Sequence, residues 1–262
     1  MLKFKFVVDE DIIARYLINT STNRNNISVA LANELWKRHT EEYRAIQKDP
    51  FAKADNLLAD IKSMPFFQDY VQTAKENKVR IENNFAKKQG EIEKVLYSLT
   101  KTDIDMPEQT VYVMPPRLCV GMNIGNNKIL WGHRFGLQDE NYDLVYLCHE
   151  GLHSVFDRDN MSHAIIEYLA DIELARHFTG KPYRCHDYTL ADRITTFPYW
   201  NLYLNRSPLE IEKAKRDVKI NYSPARYEKD RETFSKMNIF DFVYCMKQAN
   251  HVDYDTEYQI KE

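Results

Sequence analysis

Residues 147–156 read LCHEGLHSVF, and within them His149, Glu150 and His153 form the pattern H-E-x-x-H. On an α-helix, positions i and i+4 share a face, so two imidazoles at this spacing reach a single ion. Glu150 lies about 100° around such a helix from His149, where it flanks the ion without ligating it. A carboxylate so placed takes a proton from a metal-activated water and passes it to a leaving amine. The bland alternative is a pair of hydrogen-bonded core histidines beside an exposed glutamate. Leu147, Gly151, Leu152, Ser154 and Val155 are all uncharged, so the trio sits in a largely apolar helix. There, unpartnered imidazoles and a carboxylate are costly, and a metal offsets that cost.

Two histidines seldom suffice, because a catalytic zinc takes three protein ligands and leaves one position for water. The segment HAIIEYLAD places His163, Glu167 and Asp171 four residues apart on one helical face. Glu167 can supply the third ligand, and Asp171 can orient a ligating histidine through its second nitrogen. Asp159 and His163 compete for the same place, and so does Cys119 by a resemblance to the cysteine ligand of peptide deformylases, whose glycine-rich segment this chain lacks. Asp159 stands six residues after His153, where a resemblance to the metzincins would place the third ligand, but that pattern implies a glycine for a sharp turn where this chain has Phe156. Cys148 adjoins His149 but points to another face and reads as a small buried residue. Hydrolysis also needs a donor for the developing oxyanion. His177, His186, Tyr188, Tyr199, Tyr222 and Tyr227 are candidates that sequence does not separate.

HEGLH followed by EYLAD resembles the gluzincin branch of the zincin metallopeptidases, with its thermolysin-like pattern H-E-x-x-H … E-x-x-x-D. The resemblance implies a zinc-dependent peptidase with Zn2+ held by His149, His153 and Glu167. It implies that Glu150 is the catalytic base and that Asp171 supports the ligands from behind. It also implies a short sheet ahead of the motif helix, whose edge strand holds an extended peptide or protein substrate. The strand around Lys128–Trp131, extending over about 128–133, is the expected edge. A zinc hydrolase of a non-peptide amide would use the same chemistry, and a regulatory or binding protein could retain the scaffold. The intact Glu150 argues against a vestigial site, since losing the base is the cheapest inactivating change.

The elements that must position these residues read as follows. Alternation in LKFKFVV predicts a strand over 2–8. From about 9 to 100 the pattern is helical, with Ser28 as an N-cap and Pro65 at a helix start. Ile81, Phe85, Ile92, Val95, Leu96 and Leu99 recur at helical spacing and read as a core stripe. QTVYVMPP is a strand stopped by Pro115 and Pro116. The turn signal GNN at 125–127 predicts a hairpin between 118–123 and 128–135. The motif helix is expected to run to about Asp157. A second helix from near Ser162 is expected to end at Gly180, with Arg176 and His177 in its last turn. The fold class is therefore α+β: mainly helical, with a small sheet ahead of the motif helix in a zincin-like core. A mostly helical region is expected over 1–105, and the metallopeptidase core with its helical C-terminal part over 106–262.

Bulk properties narrow the function classes. The 262 residues are 44% hydrophobic and 29% charged, with a formal net charge of -3, so no overall field favours nucleic acid. No apolar stretch approaches a membrane span. The N-terminus is interrupted by Asp9 and Glu10 before a signal-peptide core could form. The four cysteines, at 119, 148, 185 and 245, are too dispersed for a disulfide framework. A cytoplasmic protein is the expectation.

Overall fold

The computed structural model of the chain describes residues 2–18, 27–116, 118, 121–217 and 230–249. It is mainly helical, with one four-stranded sheet. The expectation for Cys119 falls outside the described residues, as do those for Tyr222 and Tyr227.

The described residues divide into two compact units. The first comprises the described residues of Lys3–Lys87 and Pro107–Glu150, the second those of Met1–Leu2, Lys88–Met106 and Gly151–Glu262. Each therefore draws residues from both sides of position 105.

The first unit contains the sheet. Strands β1 (Phe4–Val7), β2 (Gln109–Val113), β3 (Met122–Gly125) and β4 (Lys128–Trp131) stand in the order β1-β2-β4-β3. β2 pairs in parallel with both β1 and β4, whereas β3 runs antiparallel to β4. Alternation in QTVYV buries Gln109, Val111 and Val113 on one face. The β3–β4 hairpin turns through Gly125, Asn126 and Asn127, with φ of 82°, 50° and 55°. Glycine and asparagine are the residue types that tolerate this left-handed region. One expectation is corrected here: β4 lies inside the sheet, paired on both sides, so Lys128–Trp131 is not an edge. The edge beside it is β3.

Helices α1 (Glu10–Ile18), α2 (Val29–Arg38), α3 (Thr40–Lys48) and α4 (Asp55–Ser63) precede the long α5 (Pro65–Thr100). Ser28 caps α2, its hydroxyl accepting from Leu31 N at 3.3 Å. The core of the first unit gathers Ile13, Leu17, Leu35, Ile46, Leu57 and Phe67. Of the α5 stripe, Ile81, Phe85, Ile92 and Leu96 are buried, while Val95 and Leu99 are half-buried.

The second unit holds α7 (Asn160–Glu167), α8 (Ala175–Thr179), α9 (Leu190–Tyr203), α10 (Pro208–Asp217), α11 (Arg231–Lys236) and α12 (Ile239–Ala249). Its core is aromatic: Tyr168 and Tyr203 lie against Trp200 at ring-centroid distances of 5.3 and 5.1 Å, and Tyr203 meets Phe242 at 4.8 Å. Between α7 and α8, residues Tyr168–Leu174 form a π-helix that continues the same helical run. The run ends at Gly180 with φ 76°, the left-handed C-cap its sequence predicts.

Candidate metal centre

The motif helix, α6 (Glu140–Leu152), begins after a 3-10 turn at Arg134–Leu137. A buried polar group ties it to the sheet. Asp143 accepts from Trp131 Nε1 at 2.7 Å and pairs with Arg80 Nη1 at 2.6 Å. Burial pushes the Asp143 carboxyl up, and the Arg80 charge and the two hydrogen bonds oppose that. Arg80 Nη1 also donates to Gly136 O at 2.9 Å. A side chain at Gly136 would run into the Asp143 carboxylate, so glycine is required where the turn meets the helix.

Within the first unit, His149 is 1% exposed and its ring lies 6.0 Å from that of Tyr146. Glu150 is fastened to the edge strand. Asn123 N–H donates to Glu150 Oε2 at 2.7 Å, and Asn123 Nδ2 donates to Glu150 O at 2.9 Å. Cys148 is fully buried, as expected.

α6 ends at Leu152, five residues short of the expected Asp157. Ser154 Oγ donates to Gly151 O at 2.7 Å, and Val155 N donates to Leu152 O at 2.9 Å. These tighter bonds satisfy the last carbonyls and close the helix early. His153 follows in the turn, still four residues from His149.

The second unit holds the other predicted residues. His153, His163 and His186 form a chain of edge-on imidazoles, with ring centroids 4.7 Å and then 5.1 Å apart. Tyr188, 57% exposed, places its hydroxyl 3.0 Å from His163 Nδ1. Glu167 is fully buried. Its carboxylate accepts from His186 N at 2.5 Å and lies 2.9 Å from His186 Nδ1. It also accepts from the Thr189 hydroxyl and pairs with Arg193 Nε at 3.0 Å. Burial raises this carboxyl, yet the hydrogen bonds from His186 and Thr189 and the Arg193 charge outweigh it, and the group is held below the usual range. Asp171, also fully buried, lies in the π-helix, with a carboxylate oxygen within 4.8 Å of a Glu167 carboxylate oxygen and of Cys185 Sγ.

These groups fit a zinc ion by donor chemistry, since imidazole nitrogens and buried carboxylates are its usual ligands. Glu167 already has several donors, so ligation through it displaces one of them. Asp159 is occupied elsewhere. It caps α7, accepting from Ser162 N and Oγ at 2.9 Å, and pairs with Lys247 at 2.8 Å. Of the oxyanion candidates, His186 and Tyr188 join the histidine chain. His177 instead pairs with Glu91 at 2.8 Å, and Tyr199 lies tilted against Phe234 at 5.0 Å.

Sequence reasoning missed Asn123, Cys185, Thr189 and Arg193. The adjacent Cys185-His186 pair carried a signal, being two metal-ligand types side by side. Asn123 carried none.

No protein-family model, no curated protein and no solved structure matches the chain.

Proposed function

We propose that the chain is a zinc-dependent peptidase in which His149, His153 and Glu167 hold the metal, Glu150 is the general base and Asp171 supports the ligands. One observation carries this reading. The motif glutamate is hydrogen-bonded at 2.7 Å to the backbone of β3, the antiparallel edge strand. An extended peptide added to β3 would have its backbone recognised by main-chain groups and its carbonyl carried past Glu150. The mixed sheet ahead of the motif helix, with an antiparallel strand at its edge, supports a zincin-like core.

Bound zinc supplies Lewis acidity, polarising the scissile carbonyl and acidifying a water. Glu150 accepts the proton of the attacking water and returns it to the leaving amine, while Asn123 fixes one of its oxygens. His186 and Tyr188 are the donors offered to the developing oxyanion. Dispersed cysteines, with Cys148, Cys185 and Cys245 free, support a cytoplasmic setting. No helix among the described residues is long and apolar enough to cross a membrane.

A second reading exchanges one ligand. The 4.7 Å contact between the His153 and His163 rings favours His163 as the third donor, with Glu167 orienting it from behind.

Metal analysis combined with digestion of a peptide library tests the proposal. Zinc in the purified chain, cleavage of peptides, and loss of cleavage on chelation with recovery on zinc addition are expected. A chain that neither contains nor takes up a transition metal would overturn it. Zinc without peptide cleavage would move the reading to a non-peptide amide substrate or a regulatory role.

A further inference from the structure

We propose that Glu167, Asp171 and Cys185 form a second metal site, distinct from the His149–His153 pair and marked by a sulfur ligand. One donor atom from each of the three lies within 4.8 Å of the others. Zinc–sulfur and zinc–oxygen bonds of roughly 2.3 and 2.1 Å put two ligands of one ion on the order of 4 Å apart or less. At a tetrahedral ion those separations are roughly 3.5 Å, so each pair has to close by no more than about 1.4 Å.

The backbone around the three residues is built to hold them there. Glu167 and Asp171 stand on one helical run, which widens from α to π at Tyr168 although it contains neither glycine nor proline at that point. π-helical turns of this kind recur at functional sites. The segment carrying Cys185 is tied to the same run at three places. Tyr183 N donates to Asp171 O at 2.7 Å, His186 N to Glu167 Oε1 at 2.5 Å, and the Thr189 hydroxyl to Glu167 Oε2. These bonds fix the thiol against the two carboxylates.

The donor set also selects its ion. A thiolate with two carboxylates suits zinc or cobalt and disfavours magnesium and calcium, which take oxygen alone. Two carboxylates, one thiolate, a divalent ion and the Arg193 guanidinium, 3.0 Å from Glu167, together carry no net charge, the least costly state for a buried cluster. On binding, the Cys185 S–H bond breaks, the sulfur–metal bond forms and the proton leaves to the buffer. Glu167, proposed above as a ligand of the His149–His153 ion, would be shared between the two sites.

Cobalt(II) titration of the chelator-stripped full chain tests this without reference to activity. A near-ultraviolet sulfur-to-cobalt charge-transfer band should grow in the wild type. It should persist in His149→Ala/His153→Ala, which removes the peptidase site, and in Cys148→Ser/Cys245→Ser. It should vanish in Cys185→Ser. Cobalt uptake by the wild type with no such band overturns the proposal, even if Cys185→Ser fails to fold. Survival of the band in a folded Cys185→Ser, or its loss in His149→Ala/His153→Ala, overturns it as well. None of these outcomes depends on whether peptides are cleaved.

Discussion

At the scale of the residue, Glu167 and Asp159 have opposite occupations. Asp159 spends both oxygens on the α7 cap and on Lys247, whereas Glu167 is a buried carboxylate ringed by donors. In a Cys185→Ser background, which leaves only the His149–His153 site, Glu167→Ala should abolish tight zinc binding, Asp171→Ala should weaken it by roughly 10–100-fold, and Asp159→Ala should leave it intact. Competition against a fluorescent zinc chelator reads all three. If His163→Ala abolishes binding while Glu167→Ala only weakens it, His163 is the third ligand. The H-E-x-x-H spacing was legible in sequence, whereas the end of α6 at Leu152, which leaves His153 in the following turn, was not. Nor were the surroundings of Glu167. His186 was named only as an oxyanion donor and Thr189 and Arg193 not at all, and only the fold makes them neighbours of Glu167.

At the scale of the element, the same division holds. The strands, the GNN hairpin, the Ser28 cap and the Gly180 stop were readable from local chemistry. The position of β4 inside the sheet was not, because β1 pairs with β2 across about a hundred residues and β2 pairs past the hairpin with β4. Neither pairing leaves a local mark. The π-helix was equally invisible, as no residue type announces it. Two element-scale predictions follow from the caps. Gly180→Ala forces a side chain into φ 76° and should cost about 1 kcal/mol in denaturant unfolding. Asp159 is held below the usual carboxylate range: burial works against this, but the hydrogen bonds from Lys247 and Ser162 and the Lys247 charge prevail. A lowered folded-state value means its contribution to stability is present above the unfolded-state value and lost as pH falls through the folded one. Asp159→Asn should therefore unfold at a lower temperature than wild type near neutral pH. That gap should close as the pH drops below the ordinary carboxylate range, and a gap independent of pH would contradict the assignment.

At the scale of the whole molecule, the proposed metal would be linked to the fold. An ion that binds only the folded chain stabilises it by about 2.7 kcal/mol when its free concentration is a hundred times its dissociation constant. Chelation should therefore lower the thermal midpoint, and zinc should restore it; equal midpoints with and without chelator would count against a site built by the folded chain. The central claim is that Glu150 is the base of a metal-dependent peptide hydrolysis. The most direct measurement of it compares wild type and Glu150→Gln, made and metal-loaded side by side, for zinc content and for cleavage of a peptide library. The amide keeps the shape of the side chain but cannot accept the proton. Equal zinc in the two proteins, with cleavage in the wild type and essentially none in Glu150→Gln, is the predicted result. Near-normal cleavage by zinc-loaded Glu150→Gln would contradict it.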